Sequence, residues 1–166
     1  MKTKTFLLVI CLFSALSVFA GANKKADKQT IEWRYEIEPE GQGAQGSYKV
    51  KVWSFSKKQN VAQEQCKKNA VHGIVFKGYA GVPGKVAPQK PLVIDPAAVD
   101  QHADFFEKFF ADGGDYMKFV QVVSGVPTVF QVGKEYKVGL IVIVQKDALR
   151  KYLEAAGVIK SLSAGF

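Results

Sequence analysis

The run from Tyr136 to Val144, Tyr-Lys-Val-Gly-Leu-Ile-Val-Ile-Val, limits the fold of this 166-residue chain more than any other stretch. It is the longest run rich in β-branched apolar residues outside the N-terminal segment. From Leu140 to Val144 every position is apolar, so the period-two alternation of a half-buried strand fails there. Such a run reads as a strand covered on both faces, at the centre of a sheet. The rest of the chain must supply its neighbours and its cover.

Two segments offer neighbours. Ile31, Trp33, Tyr35 and Ile37 alternate with Glu32, Arg34, Glu36 and Glu38, and Pro39 ends the pattern. After a glycine-rich connection over 40–47, Tyr48, Val50 and Val52 alternate with Lys49 and Lys51. Antiparallel pairing sets the Glu/Arg face against the Lys face, with exposed ion pairs worth only a few tenths of a kcal/mol each. Burial of Trp33 and Tyr35 therefore matters more. Trp53 and Phe55 fall on the lysine face, opposite Tyr48 and Val52. They form an exposed sticky patch there, or are buried where the strand twists into the next helix.

Helical periodicity follows. Ser56 to Asn60 offers an N-cap, and a helix is expected over 59–75, with Ala62, Cys66, Ala70 and Ile74 sharing one face. Lys67, Lys68 and Asn69 point mostly outward. Residues 78–89 are rich in glycine and proline and read as a loop, and Leu92-Val93-Ile94 as a short strand. Asp95 caps a second helix, with Pro96 in its first turn, running to about Ala111. It carries an aromatic face of Phe105, Phe106, Phe109 and Phe110, and Asp112-Gly113-Gly114 stops it. A third strand spans 116–123, is interrupted at Gly125 to Pro127 and continues over 128–132. Gly133-Lys134 then turns into the central strand. The last helix starts at Lys146, with Leu149, Tyr152, Leu153 and Ala156 on one face and Gly157 as its stop. The order predicts an α+β fold, a mostly antiparallel sheet with helices packed on one face, forming a single domain over 30–159.

The ends carry different information. Lys2 and Lys4 precede an apolar run from Phe6 to Ala20, followed by Gly21 and Ala22. This is the pattern of a secretory signal peptide over 1–22, cleaved after Ala22 or Ala20. The run is shorter than the ~20 residues that span a bilayer, so no transmembrane helix is expected after cleavage. Ile10 precedes Cys11 and apolar residues continue beyond it, so Cys11 is not placed for lipid attachment. Residues 23–29 read as a flexible polar arm and 160–166 as a short tail. The exported protein is expected in the periplasm or outside the cell.

Composition and motifs exclude more than they assign. The formal net charge is +8, with lysines scattered along the chain. That suits a solvated basic surface or contact with acidic envelope polymers, while export and the absence of a recognition motif argue against nucleic acid. After cleavage Cys66 is the one cysteine left, so the core must hold the fold without an internal disulfide. Cys66 and His72, six residues apart on one helix, lie ~240° apart around its axis and do not form a nucleophile–base pair. His72 and His102 have no ligand-spaced partners for a metal and read as surface or partly buried imidazoles. Gly41-x-Gly43 and Gly78-x-x-Gly81-x-x-Gly84 lack the context of a phosphate loop. Asp112 and Asp115 flank a glycine turn and read as caps. No catalytic, cofactor-binding or metal residue is assigned, and no cofactor is expected.

Residues 46–156 resemble the LPP20 group of small bacterial envelope proteins. The similar features are the strand leading into a Ser/Asn-rich helix start (Val50 to Asn60) and the Ala-spaced helix (Ala62 to Ala70). A Gly-x-x-Tyr-x-Val strand and the helix after it (Gly133, Tyr136, Val138, Leu149, Leu153) complete them. Many members are lipoproteins, which this leader departs from. The resemblance implies an exported, mainly non-enzymatic protein. The expected function is an envelope interaction or structural module, with an envelope protein or an acidic polymer as partner. The alternatives are an apolar-ligand binder using a cavity at Phe105–Phe110, and an enzyme of unrecognised type with a cleft joining shifted titratable groups.

Overall fold

The Tyr136–Val144 run occupies most of a ten-residue strand, Glu135–Val144, at the centre of a five-stranded antiparallel sheet. The computed structural model describes residues 33–41, 43–123 and 125–161. The leader, the 23–29 arm, Ile31 and Glu32, and the tail from 162 onward lie outside the described residues. The elements run β1 (Tyr35–Pro39), β2 (Tyr48–Ser56), α1 (Gln59–His72), α2 (Pro96–Gln101), α3 (Ala103–Phe109), β3 (Val120–Val122), β4 (Thr128–Val132), β5 (Glu135–Val144) and α4 (Lys146–Ala155). A π-helical turn, Gly73–Lys77, continues α1, and a 3-10 turn, Asp115–Phe119, precedes β3. This is the α+β class the periodicity predicts.

The sheet order is β1-β2-β5, with β3 and β4 sharing the far side of β5. Val122 lies opposite Val142 and Thr128 opposite Gly139, so six steps along one chain match three along the other. The extra residues bulge out, and their odd number flips the faces: Val120 and Val122 share a face with Val129 and Gln131. The interrupted strand of the sequence is thus one bulged strand, preceded by a 3-10 turn where strand was expected at Tyr116–Phe119.

One face of the sheet is the core. Val50, Val52, Val138, Val142 and Val144 are fully buried there under Ala62, Cys66, Ala70 and Ile74 of the α1 segment, with Leu149 and Leu153 of α4 in the same core. The other face has no helical cover among the described residues, which corrects the expectation that β5 is covered on both sides. Ile141 and Ile143 are half-buried, and their cross-strand neighbours are Lys51 and Lys49. Lysine stems lying over a sheet shelter apolar side chains without a second layer of structure.

Other expectations are corrected locally. Trp33 is not on β1; its backbone is at φ 45 and its indole stacks on His72 instead. The N-cap of α1 falls inside the expected Ser56–Asn60 stretch, at Lys58, but its side chain makes no capping bond. Lys68 and Asn69 are buried rather than outward. Leu92 and Val93 are not a strand: their N–H groups donate to the Ile74 and Val75 carbonyls at 3.2 and 2.9 Å, supplying donors that the end of a helix lacks. The second helix breaks at His102 into α2 and α3 and ends at Phe109. The 78–89 loop is folded on itself by bridges pairing Tyr79 with Gln89 and Val82 with Val86.

Candidate interaction surface

The residues with chemical potential are built into packing. Cys66 faces the sheet, its Sγ donating to the Val52 and Val138 carbonyls at 3.3 and 3.4 Å, and burial pushes its thiol up to about 11. His72, expected at the surface or partly buried, is buried. The Trp33 indole stacks on it at 3.5 Å between ring centres, Phe76 and Phe110 pack around it, and its Nδ1 shares a 2.7 Å hydrogen bond with the Tyr35 hydroxyl. Burial, with help from the nearby Lys77 charge, lowers the imidazole to about 3. Tyr35 is raised well above its usual range by the same burial. Lys68 lies over the Tyr116 ring and is lowered to about 8 by burial. His102 sits half-buried at the α2–α3 break. Asp115 pairs with Lys118 at 2.7 Å and accepts from the Tyr152 hydroxyl, contacts that hold its carboxyl below the usual range.

An open cleft of about 520 Å³ is lined by Leu92, Ile94, His102, Arg150 and Ile159 among others, and smaller ones lie at 81–88 and beside Lys57, Asn60 and Tyr136. None of the strongly shifted groups lines them. Among the described residues no cluster of three His, Cys, Asp or Glu side chains is placed to hold a metal ion. The phenylalanine face is packed: Phe106, Phe109 and Phe110 are buried, and Phe105 stacks on Phe109 beside Tyr152.

The outer face of the sheet carries Trp53 and Phe55, as their register predicts. Trp53 is buried all the same. Its ring lies over Gly139, where a Cβ would sit 2.5 Å from the indole, so only glycine lets the ring lie flat on β5. Lys51 and Lys137 stand 4.5 and 5.1 Å from its ring centre, and Phe130 packs beside it. Two ion pairs reach across β2: Lys137 to Glu36 at 2.6 Å, and Arg34, which also lies over Phe55, to Glu135. The cross-strand pairs expected between β1 and β2 thus run from the β1 side to β5. This face is screened by long charged side chains.

The unscreened apolar surface is at the edge. Six of the nine exposed large hydrophobic residues described fall between Met117 and Val132: Val122 and Val129 on the core side of the sheet, Phe130 and Val132 on its outer side, Met117 in the 3-10 turn and Val126 between the strands. Phe130 and Val132 are each 53% exposed, and no strand other than β5 pairs with β4 among the described residues. From Phe119 to Gly133 the chain has no charged residue. The opposite edge, β1, carries Glu36, Glu38 and Pro39, the usual means of blunting an open strand. On the β3–β4 edge Pro127 stands just before β4, and Thr128–Val132 itself carries neither charge nor proline. Sequence reasoning singled out Trp53 and Phe55 and missed this strip, whose signal was the missing charge. Among the described residues the α+β fold has one screened sheet face and one edge, β4, that pairs on one side only. No protein-family model, curated protein or solved structure matches it.

Proposed function

We propose that the protein is an exported, non-enzymatic interaction module that takes up an extended, uncharged apolar strand from another polypeptide along β4. The observation that carries this reading is the charge-free, half-exposed Thr128–Val132 strand on a sheet whose other edge is blunted. An added strand would satisfy the outward amide and carbonyl groups of β4 and cover Val129, Phe130 and Val132. Export is supported by the leader pattern and agrees with the LPP20 resemblance. The non-enzymatic part is supported by the packing of Cys66, His72 and Lys68 against the sheet carbonyls and aromatic rings.

Hydrogen exchange of the β4 amides, with and without a capped alternating Val-Thr hexapeptide, tests the reading. Protection confined to 128–132 is the expected result. Unchanged exchange at saturating peptide, or protection centred on the outer face of β1 and β2, refutes it.

A further inference from the structure

We infer that the strand added to β4 is β4 of a second copy of this chain, an inference that rests on the edge-strand reading above. Two copies meeting about a two-fold axis bring β4 against itself antiparallel. With Phe130 on the axis, the two Phe130 rings pair on the outer face, Thr128 lies opposite Val132, and Val129 opposite Gln131. No position places like charge against like charge, which is the main obstacle to self-pairing of strands. The obstacle is real for this molecule, because each copy carries a formal charge of +8, or +6 once the leader with Lys2 and Lys4 is removed, and copies repel one another. The charge-free stretch from Phe119 to Gly133 is where two such molecules can touch without opposing lysines. Lys137, the cation nearest the seam on the outer face, is one strand back on β5, opposite Phe130, and its ammonium is turned to Glu36 at 2.6 Å. Lys134, in the turn after β4, would fall opposite Val126, another apolar residue. The result is one continuous sheet through both copies, with the helices of both on the same side.

The pairing is short. Five residues per copy bury less than the ~800 Å² per partner of a standard stable interface, so the association is weak and depends on concentration.

Sedimentation equilibrium of the purified protein over a wide concentration range, with Phe130→Lys and Phe130→Glu alone and mixed, tests the inference. The expected result is a monomer–dimer equilibrium, weakened at least about tenfold in each variant by like charge on the axis and loss of the ring pair, and restored in the mixture. A chain that stays monomeric at every concentration, or a dimer indifferent to both variants, overturns it. Should the charged variants fail to fold, Phe130→Cys replaces them. On the axis it forms an interchain disulfide faster than Val126→Cys, although Val126 is 95% exposed and favoured by random collision. The reverse order overturns the inference. A monomer whose β4 amides are still protected by the Val-Thr hexapeptide refutes self-pairing and leaves the strand-addition reading standing; a monomer not protected refutes both.

Discussion

Acid should destabilise this protein through His72, by an amount the structure bounds. The imidazole is held neutral at about 3 by burial among Trp33, Phe76 and Phe110, with Lys77 adding to the effect, whereas the unfolded chain titrates it near its ordinary 6.5. Between those values the unfolded state binds a proton that the folded state refuses, so stability rises with pH there. The contribution is fully present above about 6.5 and is lost progressively as the pH falls towards 3. From pH 7 to pH 4 the loss amounts to roughly 3 kcal/mol from this side chain, a large share of a typical domain's stability. Urea unfolding at pH 7, 5.5 and 4 measures it, provided the carboxylates that also titrate are subtracted. The His72→Gln variant does so: it cannot take up the proton, and its amide can still bond the Tyr35 hydroxyl. It should be less stable than the native protein at pH 7 and lose less on acidification, so that the two curves converge. Parallel curves from pH 7 to pH 4 refute the reasoning. So does an NMR titration that finds the folded His72 ring protonating near 6.5.

Three further outcomes follow from packing. Gly139→Ala should cost about 1–3 kcal/mol in urea midpoints and alter tryptophan emission, because a Cβ 2.5 Å from the Trp53 ring forces the indole off β5; an unchanged spectrum and midpoint would refute the close fit. Ser54→Ala removes the oxygen that accepts from Asn69 Nδ2 at 2.8 Å and should cost about 1–3 kcal/mol, whereas Gln65→Leu removes a buried oxygen with no donor among the described residues and should be neutral or stabilising in the same assay. Gly78→Ala, at φ 67 with a Cβ 2.0 Å from the Gln89 carbonyl oxygen, should lower the thermal midpoint more than Gly84→Ala, which shares the strained φ but meets open space.

The sheet was legible wherever a single period ruled a segment. The central place of Tyr136–Val144, the antiparallel β1–β2 pairing and the buried Cys66 stripe all follow from spacing alone. Legibility ended where one pattern has two physical origins. Continuous apolarity in Leu140–Val144 marks burial on both faces or, as here, burial on one face with Lys49 and Lys51 beside the other. Lysine at a helical position is taken for solvent, yet Lys68 crosses Tyr116 and is buried, a tertiary contact that no local period encodes. His72 was invisible as an aromatic box because Trp33, Tyr35 and Phe110 come from separate segments, and only Phe76 lies on its own helix. The β4 edge was missed for another reason: periodicity registers where apolar residues recur, whereas the signal here was fifteen residues without a charge around a strand that, among the described residues, pairs on one side only.

That absence of charge also separates the two partner chemistries, because they respond to salt in opposite directions. An acidic polymer held by the scattered lysines would bind through ion contacts, and screening would weaken it. Two copies joined at an uncharged strand have no such contacts to lose, while the repulsion between their net-positive bodies is what screening removes. Raising the ionic strength from about 0.01 M to 0.15 M shortens the range of that repulsion from ~30 Å to ~8 Å, much less than the width of two paired domains. Self-association through β4 should therefore tighten with salt over that interval, with retention on an anionic polymer falling in parallel. Dimerisation that weakens as salt rises would mean that ion pairs hold the copies together, and would place the seam away from the Phe119–Gly133 stretch.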